Sequence, residues 1–253
     1  MKLDKFSQDD FIKVSNRLVR SLTRGKTISS KPKAILLGGQ SGAGKTTIHR
    51  IKQREFQGNI IVIDGDSYRS FHPNYLTLQE KYGKDSVNYT KVFAGQMVEY
   101  LVDELSKQGY HLLIEGTLRT TEVPRKTAQL LTARGYQVSL ALIATKPELS
   151  YLSTLIRYEE LYAIDPSQAR ATPKTHHDGI VGHLVGNLRE LEKEELFRQI
   201  QIYQRDQSCV YDSQVDEISA AEVLHECLFG KWNTVEKEML KVGQERLREL
   251  GDN

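Results

Sequence analysis

The sequence predicts an α/β fold with a mostly parallel five-stranded sheet, flanking helices and a C-terminal helical cap. Three observations predict it. Short apolar runs recur along the chain, and each is nearly continuous, as in strands buried on both faces of a parallel sheet. Helical patterns separate these runs, and a glycine-rich segment directly follows the first of them. Alternating strands and helices indicate a doubly wound sheet.

Five segments are predicted to be strands. The predicted strands are 34–37, 60–63, 111–114, 138–144 and, more weakly, 209–211. The four stronger segments consist almost entirely of aliphatic residues, so they have the length and composition of buried strands.

Helices are predicted between and after these strands. The first starts after Ser7, where Phe11, Leu18 and Leu22 form one apolar stripe. The other predicted helices are 45–56, 89–107, 123–134, 147–163, 180–206, 219–229 and 231–250. We expect a single domain over 1–253, with an N-terminal helix and linker (1–30), an α/β core with a lid (31–213) and C-terminal helices (214–253).

Composition favours a water-soluble protein of ordinary type. The chain has 253 residues, of which 39% are hydrophobic and 27% charged. The net charge of +2 comes without a dense Lys/Arg tract, and no apolar run approaches a membrane span or a secretion leader. We therefore expect a cytoplasmic protein without nucleic-acid or membrane partners. Cys209 and Cys227 are expected to be buried free thiols rather than a disulfide.

The glycine-rich segment carries the most specific signal. Residues 38–47, GGQSGAGKTT, fit the phosphate-loop spacing G-x-x-x-x-G-K-[ST]. Backbone N–H groups of such a loop bind phosphate oxygens, and the helix that starts there presents its positive dipole end to the same anion. The residues expected at a bound nucleoside triphosphate, such as ATP, are Gly39, Gln40, Ser41, Gly42, Ala43, Gly44, Lys45, Thr46 and Thr47. Lys45 should reach the β- and γ-phosphates, and the Thr46 hydroxyl should ligate Mg²⁺. The sequence thus predicts a P-loop NTPase-type fold.

The second strand ends in a pair of acidic residues. Asp64 and Asp66 alternate with Gly65, so an extended backbone places both carboxylates on one side. Because ligands of such sheets bind at the carboxyl ends of the strands, Asp66 could accept a proton from a hydroxyl that attacks the γ-phosphate. Two alternatives remain open: Asp66 binds a Mg²⁺-bound water, or it caps the next helix.

The third strand also ends in an acid. Glu115 could hold Mg²⁺ through water, or it could bind substrate hydroxyls together with Thr117 and Arg119. Glu99, on the preceding helix, is expected on the surface from spacing alone.

Two arginines follow the fourth strand. Arg157 and Arg170 flank Asp165-Pro166, a predicted helix break. They could form a lid that places positive charge on the transferred phosphate, as arginines do in phosphoryl-transfer enzymes.

Two further motifs are interpreted as structural. Thr145-Lys146-Pro147-Glu148 resembles a guanine-selecting T-K-x-D, but no D-x-x-G accompanies it, so we interpret it as a turn into a helix. His176-His177-Asp178 lacks H-E-x-x-H spacing, so a metal site is disfavoured there.

Four segments together resemble the zeta toxin family. They are GGQSGAGKTT, VIDGDSYR, IEGTLR and the paired arginines of 157–170, and the resemblance covers about residues 30–213 well. It implies a kinase that uses ATP to phosphorylate the 3′-hydroxyl of the amino sugar in UDP-N-acetylglucosamine. The product blocks peptidoglycan synthesis, so such kinases act as toxins in bacterial toxin–antitoxin pairs.

The resemblance also implies roles for individual residues. Lys45 and Thr46 would serve ATP and Mg²⁺, Asp66 would be the base, and Arg157 and Arg170 would neutralise the moving phosphate. The sugar-nucleotide pocket would be lined by Glu99, Glu115, Thr117 and Arg119. A small helical antitoxin would occlude the nucleotide cleft. Ser41 occupies a position where many members of the family carry proline, which changes the expected loop rigidity but no phosphate-facing position.

Without the resemblance, two other functions stay open. The first is a kinase of a different hydroxyl, on an antibiotic, a nucleoside or the 5′ end of RNA. The absence of a basic, aromatic-rich stripe weakens the RNA option. The second is a nucleotide-dependent switch whose output is binding, which the missing D-x-x-G weakens.

Overall fold

The computed structural model describes residues 2–166 and 169–251, so Ser167 and Gln168, shortly before Arg170, lie outside the described part. A single sheet has the strand order β2-β3-β1-β4-β5-β6. Its strands are β1 (Lys33–Gly38), β2 (Ile61–Ile63), β3 (Leu112–Glu115), β4 (Gln137–Ile143), β5 (Gln199–Tyr203) and β6 (Cys209–Asp212). The first five strands of this order are parallel, and β6 pairs with β5 in the antiparallel sense.

Ten α-helices are present in the described residues. They are α1 (Gln8–Leu22), α2 (Thr46–Glu55), α3 (Gly65–Tyr68), α4 (Tyr75–Tyr82), α5 (Val87–Gln108), α6 (Glu122–Ala133), α7 (Pro147–Ile164), α8 (Lys174–Lys193), α9 (Ala220–Phe229) and α10 (Thr234–Gly251). Local chemistry explains several ends. The Ser7 hydroxyl accepts from the Asp10 N–H at the start of α1, and Gly109 ends α5 with φ of 85°.

The predicted helix over 180–206 is wrong in its second half. Helix α8 begins earlier, at Lys174, and ends at Lys193, and Glu195 then takes a φ of 51°. Strand β5 follows, which makes the sheet six-stranded rather than five-stranded. Tertiary pairing decides this segment, because β5 lies between β4 and β6 and is hydrogen-bonded to both.

Two apolar clusters cover the two faces of the sheet. Successive residues of β1 alternate between them, with Ala34 and Leu36 in the larger cluster and Ile35 and Leu37 in the smaller. The larger cluster includes apolar residues of α1, α5, α6, α8 and α9. The smaller one includes Ile48 of α2. Since β1 is buried on both faces, its continuous apolar sequence is explained.

The topology collects the ends of three strands at one edge. In the β1–β3 pair Leu37 lies opposite Glu115, and in the β2–β3 pair Ile63 lies opposite Ile114. The phosphate loop after β1, Asp64 after β2 and Glu115 at the end of β3 are therefore neighbours.

Two other sequence expectations concern the cysteines and the membrane. Cys209 and Cys227 are free, as expected, but Cys209 is exposed and Cys227 half-buried, so the expected burial of both thiols is wrong. Cys209 is exposed because it begins β6, at the open edge of the sheet. No helix among the described residues combines the length and apolarity needed to cross a membrane.

Candidate active site

The loop between β1 and α2 has a backbone that only glycine tolerates at its turning points. Gly39, Gly42 and Gly44 have φ values of 141°, 73° and 100°. A Cβ at Gly42 would lie 2.0 Å from the Ser150 carbonyl oxygen, and one at Gly39 would lie 2.7 Å from a methyl carbon of Ile143. The glycines therefore allow both the turn and the close packing of the loop on α7.

Buried polar side chains support this loop from behind. Gln40 is fully buried, and its Nε2 donates to the Thr145 carbonyl at 2.7 Å and to Ser150 Oγ at 3.2 Å. The Thr145 hydroxyl donates to the Ala43 carbonyl at 2.8 Å. The segment that resembles T-K-x-D thus supports the phosphate loop and leads into α7, as interpreted from sequence.

His177, from the His-His-Asp segment, belongs to the same support. Its ring is buried, and Nε2 lies 2.8 Å from Ser150 Oγ. Nδ1 lies 3.2 Å from Asp178 Oδ1. This histidine therefore joins α8 to the helix that packs on the phosphate loop.

Lys45 lies at the junction of the loop and α2. Its Nζ donates to the carbonyls of Gly39 and Gln40 at 3.2 and 3.3 Å. The same atom lies 3.6 Å from Glu115 Oε1. Thr46 is the first residue of α2, so its hydroxyl lies at the positive end of that helix.

Glu115 is held between two basic side chains of the loop and α2. His49 Nε2 lies 2.9 Å from Glu115 Oε2, while Lys45 approaches the other oxygen. Burial by itself would raise the pKa of Glu115, but the contact with His49 and the charge of Lys45 lower it overall. The carboxylate therefore stays ionised beside the phosphate loop.

Asp64 and Asp66 differ in environment. Asp64 caps α3, since Oδ1 accepts from the Asp66 N–H at 3.0 Å and Oδ2 accepts from Ser67 Oγ at 2.6 Å. Burial, followed by the charge of Glu115, raises its pKa. The cap of this helix is thus Asp64, and the alternative in which Asp66 caps it is wrong.

Asp66 faces the open cleft. Its side chain is 67% exposed, and Oδ1 accepts from Arg69 Nε at 2.8 Å. Partial burial acts to raise its pKa, but the hydrogen bond from Arg69 and the charges of Arg69, Arg170 and Lys45 lower it overall. Asp66 is therefore an ionised carboxylate with Oδ1 held by Arg69.

A cleft of about 540 Å³ joins these groups. Eight of the residues predicted for the site line it: Gly42, Gly44, Lys45, Thr46, Thr47, Asp66, Glu115 and Arg157. Four lining residues were not predicted from sequence: His49, Asp64, Ser153 and Arg205.

The remaining predicted residues lie behind or beside the cleft. Gly39, Gln40, Ser41 and Ala43 form the rear of the loop, where their backbone shapes the turn. Glu99 is exposed on α5, and Thr117 and Arg119 lie in the turn after β3. None of these three lines the cleft as it stands.

Arg170 contacts the backbone of Asp66. Its Nη1 donates to the Asp66 carbonyl at 2.6 Å, and its guanidinium carbon lies 5.9 Å from the centre of the Tyr75 ring. Arg157, by contrast, is exposed and lines the cleft near the phosphate loop. The two arginines therefore approach the site from different sides.

Arg205 was not predicted as a site residue, because the sequence pattern indicates a helix over 180–206. It lies in the turn between β5 and β6 and contacts the phosphate loop. A signal was present in Gln199-Ile200-Gln201-Ile202, which alternates polar and apolar residues as a strand does. His49 had no comparable signal, because only the fold brings α2 beside β3.

The loop fits the phosphates of a nucleotide and an accompanying Mg²⁺. The glycine-dependent turn of the loop, the Lys45 ammonium and the start of α2 suit an anion. Within residues 2–166 and 169–251, no cluster of three or more His, Cys, Asp or Glu side chains could hold a metal ion. Thr46, at the start of α2, is the residue of this loop that would hold Mg²⁺ beside bound phosphate.

Comparison with known proteins gives consistent results. A family model described as "Zeta toxin" matches residues 19–216. "Toxin PezT" of Streptococcus pneumoniae serotype 4 is 68% identical over 250 residues, which cover 99% of either chain. "Toxin zeta" of Streptococcus pyogenes is 43% identical over 220 residues, which cover 87% of this chain and 77% of that protein.

Solved structures support the same relationship. A structure of the PezAT chromosomal toxin–antitoxin system of Streptococcus pneumoniae contains a chain with a TM-score of 0.93 and 67% identity, covering 99% of this chain and 100% of that one. A chain of the AvrRxo1-ORF1:AvrRxo1-ORF2 complex has a TM-score of 0.60 with 14% identity, covering 95% of this chain and 83% of that one, which shows a shared fold.

Proposed function

The chain belongs to the zeta toxin family, and on that premise we propose that it is an ATP-dependent kinase of a sugar nucleotide. The acceptor is the 3′-hydroxyl of the amino sugar in UDP-N-acetylglucosamine. The chain acts as the toxin of a toxin–antitoxin pair, because phosphorylation of this precursor blocks peptidoglycan synthesis.

One observation supports a transfer reaction above the other functions. The Asp66 carboxylate opens into the same cleft as the phosphate loop and Lys45. A protein that only bound a nucleotide would not need an ionised proton acceptor there. The cleft thus offers a phosphate site and a base within one space.

Asp66 receives the proton of the attacking hydroxyl in this proposal. Arg69 holds Oδ1, so we assign the proton to Oδ2. Because the cations around it lower its pKa, the Asp66 carboxylate is ionised at neutral pH and can accept a proton. Arg170, through the Asp66 carbonyl, fixes the backbone of this residue.

Lys45 and Arg157 stabilise negative charge on the phosphate side. Lys45 exchanges its loop carbonyl contacts for phosphate oxygens, and Arg157 contributes a guanidinium from α7. Bound Mg²⁺ would neutralise further charge on the phosphates, with Thr46 as its protein ligand. In this proposal Glu115 contacts the sugar nucleotide. Thr117, Arg119 and Glu99 lie outside the cleft. The proposal therefore requires these three residues to approach when the substrate binds.

The proposed partner is an antitoxin. The relative in the PezAT system belongs to a toxin–antitoxin pair, and the cleft here is open and rich in charged groups. A helical antitoxin that occludes the nucleotide end of the cleft would keep the kinase inactive in the cytoplasm.

Incubation of the chain with ATP, Mg²⁺ and UDP-N-acetylglucosamine tests the proposal. We expect mass spectrometry to find a gain of one phosphate group on the sugar nucleotide. Asp66→Asn should keep ATP binding and lose about 10²–10⁴-fold in transfer rate, the usual contribution of a general base. Asp85→Asn, an exposed aspartate outside the cleft, is the matched control and should retain full rate.

Two outcomes would contradict parts of this proposal. Full transfer by a folded Asp66→Asn variant would remove the assigned base. No mass gain, with ATP nevertheless bound, would leave the nucleotide site in place and return the acceptor to a screen of other hydroxyl compounds.

A further inference from the structure

One arginine that lines the cleft also contacts the phosphate loop. Arg205, in the turn between β5 and β6, donates from Nε to the Ala43 carbonyl at 3.1 Å. Its Nη2 donates to the Gly42 carbonyl and, at 2.9 Å, to Ser153 Oγ on α7. A single guanidinium group thus joins two loop peptides to a helix.

These contacts are made to carbonyl oxygens of the loop and leave its N–H groups free of Arg205. A loop that directs its N–H groups towards an anion must direct carbonyl oxygens elsewhere, and those oxygens need donors. Ala43 O is held by Thr145 Oγ1 as well as by Arg205. Through the Ala43 carbonyl this cation also polarises the Ala43–Gly44 peptide, which makes the Gly44 N–H a stronger hydrogen-bond donor.

The stem of Arg205 packs where the loop has no side chain. A Cβ at Gly44 would lie 3.4 Å from Arg205 Cγ, so the aliphatic part covers this glycine. Burial lowers the pKa of Arg205, but an arginine remains charged at neutral pH. The turn is itself fixed, because the Gln204 N–H donates to the Ser208 carbonyl at 2.9 Å.

The contact with α7 extends this effect to a second cation. Ser153 and Arg157 are four residues apart on the helix, and both line the cleft. They therefore lie on one face. By binding Ser153, Arg205 sets the separation between the phosphate loop and the helix face that carries Arg157.

We propose that Arg205 is a positioning residue for polyphosphate binding, which shapes the loop through Gly42 and Ala43 and ties it to α7. This inference rests on the proposed function, since it concerns the triphosphate end of the same cleft. The positioning role concerns the phosphates alone and requires neither a nucleobase nor a phosphoryl acceptor. It can therefore be tested separately from the kinase reaction.

Titration calorimetry with two ligands tests the inference. Wild type and Arg205→Ala are titrated with ATP and with inorganic tripolyphosphate, both with Mg²⁺. We expect Kd to rise about tenfold or more for both ligands, and by similar factors, as for loss of charge-assisted hydrogen bonds. A rise for ATP alone would mean that Arg205 contacts the nucleoside and would overturn the inference, as would unchanged Kd values.

Two further variants complete the design. Arg205→Lys keeps the charge but lacks the planar fork of donors that reaches Ala43, Gly42 and Ser153 together. We therefore expect binding clearly weaker than wild type, and equal binding would overturn the inference. If Arg205→Ala does not fold, Arg205→Lys is compared with wild type in its place. Arg54→Ala is the matched control, because Arg54 Nη2 donates to Gln207 Oε1 at 2.5 Å on the outer side of the same turn. Its ATP affinity should equal that of wild type.

Failure of the inference differs from failure of the proposed function. If wild type binds neither ligand, both are overturned. If wild type binds both and Arg205→Ala binds equally well, only the positioning role is overturned.

Discussion

At the scale of single residues, the site gives different environments to Asp64 and Asp66, two carboxylates that lie two positions apart in the sequence. Both carboxylate oxygens of Asp64 accept hydrogen bonds at the start of α3, whereas the Asp66 side chain is exposed beside cationic side chains. Their pKa values are shifted in opposite directions, raised for Asp64 and lowered for Asp66. Of these two, Asp66 thus combines exposure in the cleft with a stable negative charge.

Arg69→Gln should change the pH profile of the proposed reaction. Arg69 lowers the pKa of Asp66, so its removal raises that pKa towards the ordinary value. A base must be ionised, and a higher pKa means that protonation begins at a higher pH as the solution is acidified. We therefore expect the acid limb of the kcat profile to move to higher pH, with less than about tenfold loss at neutral pH.

A matched control for this prediction lies on α5. Lys107→Gln removes a similar partner from Asp103, with which Lys107 Nζ makes a 2.5 Å ion pair far from the cleft. Its kcat profile should coincide with that of wild type. An acid limb that stays in place in Arg69→Gln would mean that Asp66 is not the titrating base.

Sequence prediction gave the position of a residue where a motif specifies it by itself. Lys45, Thr46 and Asp66 line the cleft, as expected for residues at the start of a predicted helix or shortly after a predicted strand. His49 and Arg205 were not found, since their role depends on which elements the fold brings together. Glu99 illustrates the reverse case, because it is exposed on α5 as spacing suggested, and only the family resemblance gives it a role.

At the scale of elements, the phosphate loop and α7 behave as one packed unit. Gly42 touches α7 so closely that a Cβ there would lie 2.0 Å from Ser150 O and 2.7 Å from a methyl carbon of Thr154. Gln40 and His177 bond to Ser150 from two further directions. The loop therefore cannot shift without moving the helix.

Gly42→Ala should disturb both parts of this unit. The added methyl group clashes with backbone, and the φ of 73° is unfavourable for alanine. We expect a loss of about 2 kcal/mol or more in the free energy of unfolding and weaker ATP binding, measured by thermal melting and calorimetry.

Gly95→Ala is the control for that substitution. Gly95 lies within α5, where a Cβ would meet nothing within 4 Å. It should be neutral or stabilising by up to about 1 kcal/mol, since alanine favours helix. A Gly42→Ala variant that melts and binds ATP like wild type would show that the loop and α7 move independently.

Prediction of elements from sequence succeeded for periodic segments, missed the short helices α3 and α4, and failed at the junction after α8. Helix α8 and strand β5 follow each other closely, and the apolar spacing of Leu184, Leu188 and Leu191 continued far enough to suggest one helix. Period-two alternation in β5 spans only five residues. So short an alternation does not by itself predict a strand. The segment becomes a strand because β4 and β6 pair with it.

At the scale of the whole molecule, the C-terminal helix differs from the rest of the fold. Helix α10 has no buried residue, whereas α5 buries eight of its side chains in or beside the larger core cluster. An apolar hollow of about 320 Å³ lies where Leu240 of α10 faces Leu152 and Leu155 of α7. The ion pair between Arg246 and Glu160 is half-exposed, so it adds little.

Native-state hydrogen exchange should therefore show α10 opening separately from the sheet. Local opening requires less free energy where few apolar contacts are broken. We expect amides of α10 to exchange well below the global free energy of unfolding and with little dependence on urea. Amides of β1, β4 and α5 should exchange only through global unfolding. Equal protection of α10 and α5 would contradict this prediction. Helix α10 packs on α7, which carries the cleft residues Ser153 and Arg157. Opening of α10 would therefore also remove the packing that α7 receives on its outer side.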